Sequence, residues 1–341
     1  MNVPNRPLRC ALFGLGDWAW RHVRLIQNTP GFELAAISSR SDGAWERARS
    51  DLPNVRLYRN HRELLAAERP DLAVITTPHY LHAAMAIDAL GAGAHVIVEK
   101  PLATTMADGR AMLEAAKTAG RMLGVYHNRH FDPWLVAAEL IVRRGAIGRL
   151  VELNALWPGL PPPGTWRMGK RESGGLFFDL GAHLVDYLVT LAGSEPQLVS
   201  GHVHRVPGRD PLLNEDHAVA QIQFASGAWG RVYTSGLDLA ASRRFHLIGE
   251  QGTLTDEWNW NGGQGEVRTR LPNGTVEVST YTYGSESDSP AGMTMYANFA
   301  AHLFENAPLA VTPEQALRNI AVLLAAEKSS AADGTWVDVE R

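Results

Sequence analysis

Cysteine, charge excess and long apolar runs are all scarce in this chain, and each scarcity excludes something. The one cysteine, Cys10, cannot form an internal disulfide, as expected of a protein kept in the reducing cytoplasm. Lys and Arg number 32 against 36 Asp and Glu, a net charge of −4 with no basic block, so the chain is not built to neutralise phosphates along nucleic acid. The longest apolar runs, Leu72 to Thr77 and Leu184 to Ala192, are broken well short of a membrane span. Met1 to Arg9 holds no apolar signal core, so neither secretion nor a membrane partner is expected. No internal repeat or low-complexity tract is present. What remains is ordinary globular material, 45% hydrophobic and 20% charged over 341 residues. At roughly 150 residues per domain that length suggests two domains.

The first 127 residues alternate two periodicities. Short Val/Ile/Leu/Ala runs read as buried strands at Leu8–Phe13, Phe32–Ser38, Val55–Tyr58, Leu72–Thr77, His95–Glu99 and Met122–Tyr126. Helical spacing lies between them, as in Leu81–Leu90 and Met106–Ala119, with Gly91 and Gly120 as expected C-terminal stops. Six strands alternating with five helices predict a doubly wound parallel sheet, a Rossmann domain over residues 1–127. Residues 128–341 then form a second α/β domain with a large, mainly antiparallel sheet. Its expected pieces are a helix at Trp134–Arg144, a strand at Leu150–Leu156, a Pro/Gly-rich loop at Pro158–Gly164 and a β-rich stretch from Gln197 to Thr282. Turns are expected at Ser226-Gly227 and Asn273-Gly274, and two helices, Met293–Glu305 and Pro313–Ala331, follow, the second started by Thr312.

Gly14-Leu15-Gly16-Asp17-Trp18-Ala19 follows the first strand and opens a helix. Gly14 permits the tight turn, Gly16 lets the backbone approach a pyrophosphate, and Ala19 allows close helix–strand packing. Helix amides and dipole favour the anion. The second strand should then supply an acid for the ribose hydroxyls, but it ends Ser38-Ser39-Arg40-Ser41. A hydroxyl beside a guanidinium suits a 2′-phosphate, which favours NADP over NAD, although Arg40 also reads as a solvated strand-end residue.

Two further patterns carry chemistry. Val96-Ile97-Val98-Glu99-Lys100-Pro101 places a lysine at the carboxyl end of a strand, where open parallel sheets bind ligands. An ammonium there can stabilise an alkoxide or exchange a proton, while its bland reading is a snorkelling surface lysine. In Asp179-Leu180-Gly181-Ala182-His183-Leu184-Val185-Asp186, helical spacing puts Asp179, His183, Asp186 and Thr190 on one stripe of an otherwise apolar helix. That stripe faces either a cleft or an internal hydrogen-bond network. His202 and His204 share a strand face without a third ligand at a familiar spacing, so no metal site is expected. Trp157 and Trp166 either stack on sugar rings or fill the sheet–loop interface.

Together these residues resemble the glucose–fructose oxidoreductase / inositol dehydrogenase / MocA family (Gfo/Idh/MocA). The glycine turn, Thr77-Pro78 with His82, Glu99-Lys100-Pro101, Asn128 and Asp179-x-Gly181-x-His183 occur in the family's order over nearly the whole chain. The resemblance implies hydride transfer with NADP or NAD on a secondary alcohol or ketone of a sugar, cyclic polyol or related compound. It makes Lys100 and His183 the proton-handling pair, with Asp179 orienting substrate and His183. Thr77, Pro78, His82, Glu99 and Asn128 join Gly14, Gly16, Trp18, Ala19, Ser39 and Arg40 around the cofactor. Trp166-Arg167 matches a substrate-loop pair, Lys100-Pro101 a cis peptide, and relatives suggest a homodimer or homotetramer. Three residues depart from the pattern: His79 where Asn often follows Thr-Pro, His130 where Arg is frequent, and Ser39 in place of an acid. Two alternatives remain, glycoside hydrolysis or elimination through transient oxidation, and a non-catalytic NADP-binding regulator.

Overall fold

The computed structural model describes residues 6–161, 163–239, 245–257, 261–285 and 291–341. Packing divides the chain into two compact units, Met1–His127 with Gly292–Leu317, and Asn128–Ala291 with Arg318–Arg341.

The first unit holds six strands, β1 (Leu8–Phe13), β2 (Phe32–Ser38), β3 (Arg56–Tyr58), β4 (Leu72–Ile75), β5 (His95–Glu99) and β6 (Leu123–Tyr126). All pair in parallel in the order β3-β2-β1-β4-β5-β6, which reverses direction at β1. Five helices connect them: α1 (Ala19–Asn28), α2 (Asp42–Asp51), α3 (His61–Glu68), α4 (His82–Gly91) and α5 (Met106–Ala119). The central strands are written mostly in apolar residues because helices cover both faces: β4 is buried throughout, and so is β1 from Cys10 onward. Burial pushes the Cys10 thiol up to about 12, so it packs as a small apolar side chain. Gly120 ends α5 with φ of 59°, as the sequence indicates. Gly91 does not end α4: it is the last helical residue, and the left-handed position falls at Gly93, φ 87°.

The sequence reading placed everything beyond residue 127 in the second domain, but Gly292–Leu317 belongs to the first unit. The reason is aromatic packing by α9 (Ala291–Glu305). Tyr296 and Phe299 are fully buried, and the Tyr296 ring lies 5.8 Å from those of both His22 and Tyr126 and 6.3 Å from Phe32.

The second unit contains α6 (Pro133–Arg143), α7 (Lys170–Ser173), α8 (Ala182–Ala192), most of α10 (Pro313–Ser330) and a nine-stranded sheet. Its strands are β7 (Leu150–Pro158), β8 (Pro196–His204), β9 (His217–Phe224), β10 (Trp229–Ser235), β11 (Phe245–Gly249), β12 (Gly252–Asp256), β13 (Gly263–Arg270), β14 (Val276–Tyr283) and β15 (Val337–Asp338). The order is β14-β13-β12-β11-β7-β10-β9-β8-β15, antiparallel except where β10 pairs with β7. Burial alternates along β9 and β10, the mark of a sheet packed on one face. The turns at Ser226-Gly227 and Asn273-Gly274 are formed, each glycine at φ 86°. Thr312 caps α10 reciprocally with Gln315, through bonds of 2.7 and 3.2 Å.

Two elements of the second unit depart from the sequence reading. β7 runs on to Pro158, taking in the start of the expected loop, whose Pro162 lies outside the described residues. The expected Asp179–Thr190 helix is not uniform, because Phe177–Gly181 forms a π-helical turn ahead of α8. The run Lys170–Ala192 is long and apolar enough to cross a membrane by length and composition, but its most apolar stretch is mostly buried inside the protein, as in a core helix.

Candidate active site

In the first unit, the residues read as cofactor-binding gather at the carboxyl ends of β1, β2, β4 and β5. Gly14 follows β1 at φ 92°, and a Cβ there would lie 3.0 Å from the Thr77 methyl and 3.2 Å from the Thr76 carbonyl, so only glycine fits. A Cβ on Gly16 would meet nothing within 4 Å, which leaves open space beside the backbone. No side chain caps α1, and the amides of Ala19 and Arg21 already donate to the Gly16 and Trp18 carbonyls, each at 3.0 Å. Thr77 Oγ1 is buried without a protein partner, an orphaned hydroxyl at the end of β4. The glycine turn and the buried hydroxyl fit a dinucleotide's pyrophosphate and neighbouring groups.

Two expected cofactor ligands have other parts. His82 is fully buried, with Nδ1 2.9 Å from the Pro101 carbonyl and Nε2 3.1 Å from the Thr77 carbonyl. Its ring therefore braces the turn after β4 against the end of β5 and is not presented to a ligand. Burial holds its pKa below the ordinary imidazole value. Glu99 is also buried: Oε1 accepts from Trp18 Nε1 and faces His22 Nε2 at 2.8 Å, and Oε2 accepts from the Lys100 amide at 3.1 Å. His22 Nδ1 in turn reaches the Tyr296 hydroxyl at 2.8 Å. These bonds lock the strand end from which Lys100 starts. Lys100 is buried and its bond to Pro101 is cis.

At the end of β2, the Ser39 carbonyl accepts from Trp45 Nε1 at 2.7 Å. Arg59, missed by the sequence reading, bonds the Arg40 carbonyl at 3.0 Å, pairs with Asp42 and lies 4.2 Å over the Trp45 ring. Arg40 is exposed, and its guanidinium makes no ion pair among the described residues. One arginine is spent on the loop, and the other stays exposed.

In the second unit, Asp179, His183 and Asp186 of the stripe are buried and each acid has a basic partner. Asp179, on the π turn, pairs with Arg167, whose guanidinium lies 4.9 Å over the Trp166 ring. His183 is 4% exposed and stacks on Trp157, centroids 6.0 Å apart, while Arg129 lies 5.1 Å over the same indole. Asp186 takes His130 Nδ1 at 3.1 Å and Asn319 Nδ2 at 3.2 Å. Thr190, the fourth residue of the stripe, is half-buried on the last turn of α8. Asn128 is buried with Nδ2 unpartnered in the protein, the second orphaned polar group among the cofactor-binding candidates.

Asp132 is the residue the sequence concealed. Asp-Pro before a helix reads as an N-cap, yet its side chain makes no cap bond. Instead Oδ2 accepts from Trp134 Nε1 and the Tyr187 hydroxyl, both at 3.3 Å, with Arg129 at 3.5 Å. Burial, then the Asp132 charge, pushes the Tyr187 hydroxyl well above its ordinary value. His202 and His204 stack at 6.3 Å, and among the described residues no three His, Cys, Asp or Glu are disposed to hold a metal ion.

Fold and site together define a dinucleotide-binding Rossmann unit joined to an α/β unit with a buried, charge-paired histidine helix. The chain belongs to the GFO/IDH/MocA oxidoreductase family: the family's NAD-binding Rossmann model matches residues 8–127, and its C-terminal domain model matches residues 135–255. The chain spans 59% and 58% of the length of two uncharacterised oxidoreductases from Schizosaccharomyces pombe, at 30% and 33% identity over 62% of its own length. It is 30% identical to scyllo-inositol 2-dehydrogenase (NAD(+)) of Bacillus subtilis, over 72% of this chain and 73% of that protein. An oxidoreductase domain protein from Kribbella flavida has the same fold, with TM-score 0.83 and 24% identity over 98% of this chain and all of that one.

Proposed function

We propose that this chain is an NAD(P)-dependent oxidoreductase that interconverts a secondary alcohol and a ketone on a sugar, cyclic polyol or related small molecule. The observation that carries this reading is the pair of locked elements bearing the two proton-handling residues. Lys100 starts from a strand end fixed through Glu99, and His183 sits on a buried helix face against Trp157. The polyol named for the Bacillus subtilis relative supports the substrate class.

The nicotinamide supplies the hydride chemistry when bound. The chain's own work is to position and to move a proton. His183 accepts the hydroxyl proton of the alcohol, and the Lys100 ammonium steadies the oxygen as charge develops. Asp179, neutralised by Arg167, holds a substrate hydroxyl, and Trp166 covers the substrate ring. Arg40 grips a 2′-phosphate, so NADP is preferred to NAD.

The test is a screen of NADP and NAD reduction against a panel of sugars and polyols. Accumulation of reduced cofactor with at least one of them is expected. Product formation without net reduced cofactor would assign the chain to glycoside chemistry through transient oxidation. Tight cofactor binding with no turnover at all would make it a regulator.

A further inference from the structure

Asn214, Glu215 and Asp216 are consecutive polar residues, all buried, immediately before β9. Asp216 ties this segment to the sheet. Its amide donates to the His204 carbonyl at the end of β8 at 3.0 Å, and its carbonyl accepts from the Gly236 amide just past β10 at 2.8 Å. Its carboxylate accepts from the Val206 amide at 2.7 Å and pairs with Arg209 at 3.2 Å. The two residues before it reach the other way, toward the segment that carries Arg167 and Asp179.

Asn214 holds the Arg167 side. Its Nδ2 donates to the Arg167 carbonyl at 2.6 Å, its amide donates to the Met168 carbonyl at 2.8 Å, and its Oδ1 accepts from the Ser173 hydroxyl at 3.0 Å. Glu215 holds the Asp179 side. Its Oε1 accepts from the Phe177 amide at 2.8 Å, and Phe177 is the first residue of the π turn on which Asp179 lies. An amide at the start of a helical turn has no acceptor within that turn, so Glu215 supplies the missing one. Its Oε2 pairs with Lys170 at 3.3 Å, and Lys170 is held in turn by Glu327 of α10 at 2.5 Å. The approach is close enough to demand glycine: at Gly175, φ 126°, a Cβ would stand 2.6 Å from both Glu215 Oε1 and Lys170 Nζ. The Gly175 carbonyl then accepts from the Asp179 amide at 3.0 Å. Single π turns recur at functional sites, and the start of this one is fixed from outside.

We propose that Asn214 and Glu215 are positioning residues of the substrate site, adjacent on a segment anchored in the sheet and fixing the backbone on both sides of the Asp179–Arg167 pair. This rests on the function proposed above, in which Asp179 of that pair holds a substrate hydroxyl, and adds the residues that set where the pair stands. Both act through the pair and through His183, which follows the π turn on α8. A displacement of about an ångström there costs up to about a hundredfold in rate. The bond to the Phe177 amide carries this effect, while the pairing with Lys170 compensates the buried charge.

The experiment separates the amide bond from the charge. Glu215→Ala removes both, Glu215→Gln keeps an oxygen for the Phe177 amide, and Lys170→Met keeps the Glu215 carboxylate while removing the cation beside it. Melting temperature, NADP affinity and kcat/KM per folded molecule are measured for each, with scyllo-inositol first and then whichever polyol the screen turns over. Glu215→Ala should lower kcat/KM for the polyol about ten- to hundred-fold with NADP affinity unchanged. Glu215→Gln and Lys170→Met should melt lower yet keep kcat/KM within about threefold of the wild type. Asn214→Ala, which frees the Arg167 carbonyl, should act in the same direction as Glu215→Ala and stands in for it if that variant does not fold. Wild-type kcat/KM in Glu215→Ala or Asn214→Ala, or a loss in Lys170→Met as large as in Glu215→Ala, would make the segment merely structural and overturn the proposal. Hydrogen exchange at the amides of residues 177–183, read by mass spectrometry without substrate, should quicken in Glu215→Ala and not in Glu215→Gln. Equal rates in the wild type and Glu215→Ala would also overturn it. If no polyol is turned over, the proposed function falls and takes the role of the pair with it, while the exchange rates still decide whether Glu215 holds the turn.

Discussion

Replacing Gly124 by alanine tests whether α9 is built into the dinucleotide-binding unit. Gly124 lies within β6, and a Cβ there would stand 2.7, 3.1 and 3.3 Å from three carbons of the Phe299 ring. Favourable carbon contacts lie at about 3.5–4.0 Å, so the ring must give way by the better part of an ångström. It has little room: Phe299 is fully buried and Tyr296 lies 5.9 Å away, centroid to centroid. Overpacking of this kind costs about 1–3 kcal/mol. Against it, losing a glycine restricts the unfolded chain and favours folding by about 0.4–1 kcal/mol. Overpacking wins, and Gly124→Ala should be destabilised by about 1–2 kcal/mol. Phe299→Leu alone should also destabilise, by opening space, but the new methyl fills part of that space. In the double variant the two effects should therefore fall short of additivity by at least about 0.5 kcal/mol. Urea unfolding followed by both fluorescence and circular dichroism gives these values, provided the slopes agree between variants. A Gly124→Ala protein at least as stable as the wild type, with additive effects in the double variant, would refute the packing of α9 on β6.

The remaining predictions concern the site and the acid limb. Arg40→Ala should weaken NADP by about 1.5–3 kcal/mol and leave NAD nearly unchanged, as calorimetric titration would show; equal losses would remove Arg40 from the 2′-phosphate. Lys100→Met and His183→Ala should each lower turnover by about two to four orders of magnitude with melting temperature and cofactor affinity nearly retained. A destabilised but fully active His183→Ala would instead make the stripe an internal network. Glu68 is buried; burial raises its pKa, but bonds from Tyr58, Arg56 and Arg9 more than reverse this, so the folded value lies below the unfolded one. The stability it contributes is then present above the unfolded carboxylate pKa and lost as pH falls through the folded value. Glu68→Gln should flatten that part of the acid limb in melts recorded against pH, and an unchanged limb would contradict the pairing.

The Rossmann sheet was legible because buried parallel strands are written as continuous apolar runs, and the glycine turn because its spacing answers a backbone requirement at Gly14. The assignment of α9 was not legible. Tyr296 and Phe299 have no local pattern that names their partners, His22, Phe32 and Tyr126, which are far away in sequence. The acids of the buried stripe were visible as a periodicity, yet the partners Arg167, His130 and Asn319 come from three other segments. His82 and Glu99 stood in family positions beside the cofactor, and only burial and hydrogen-bond partners reveal that both work as braces. Asp132 was hidden by resemblance to a helix cap, since a capping aspartate and a buried acceptor for Trp134 and Tyr187 look alike in sequence.

In the function proposed above, hydride passes directly from a substrate carbon to the nicotinamide and stays there. The most direct measurement uses a polyol deuterated at the carbinol carbon, mixed with NADP and the wild-type protein in a single turnover, followed by mass analysis of cofactor and product. The account predicts one deuterium in the reduced cofactor, none in the ketone carbonyl, and equal amounts of both products. Recovery of oxidised cofactor with the deuterium returned to a sugar product, or no transfer from any polyol in the panel, would contradict it.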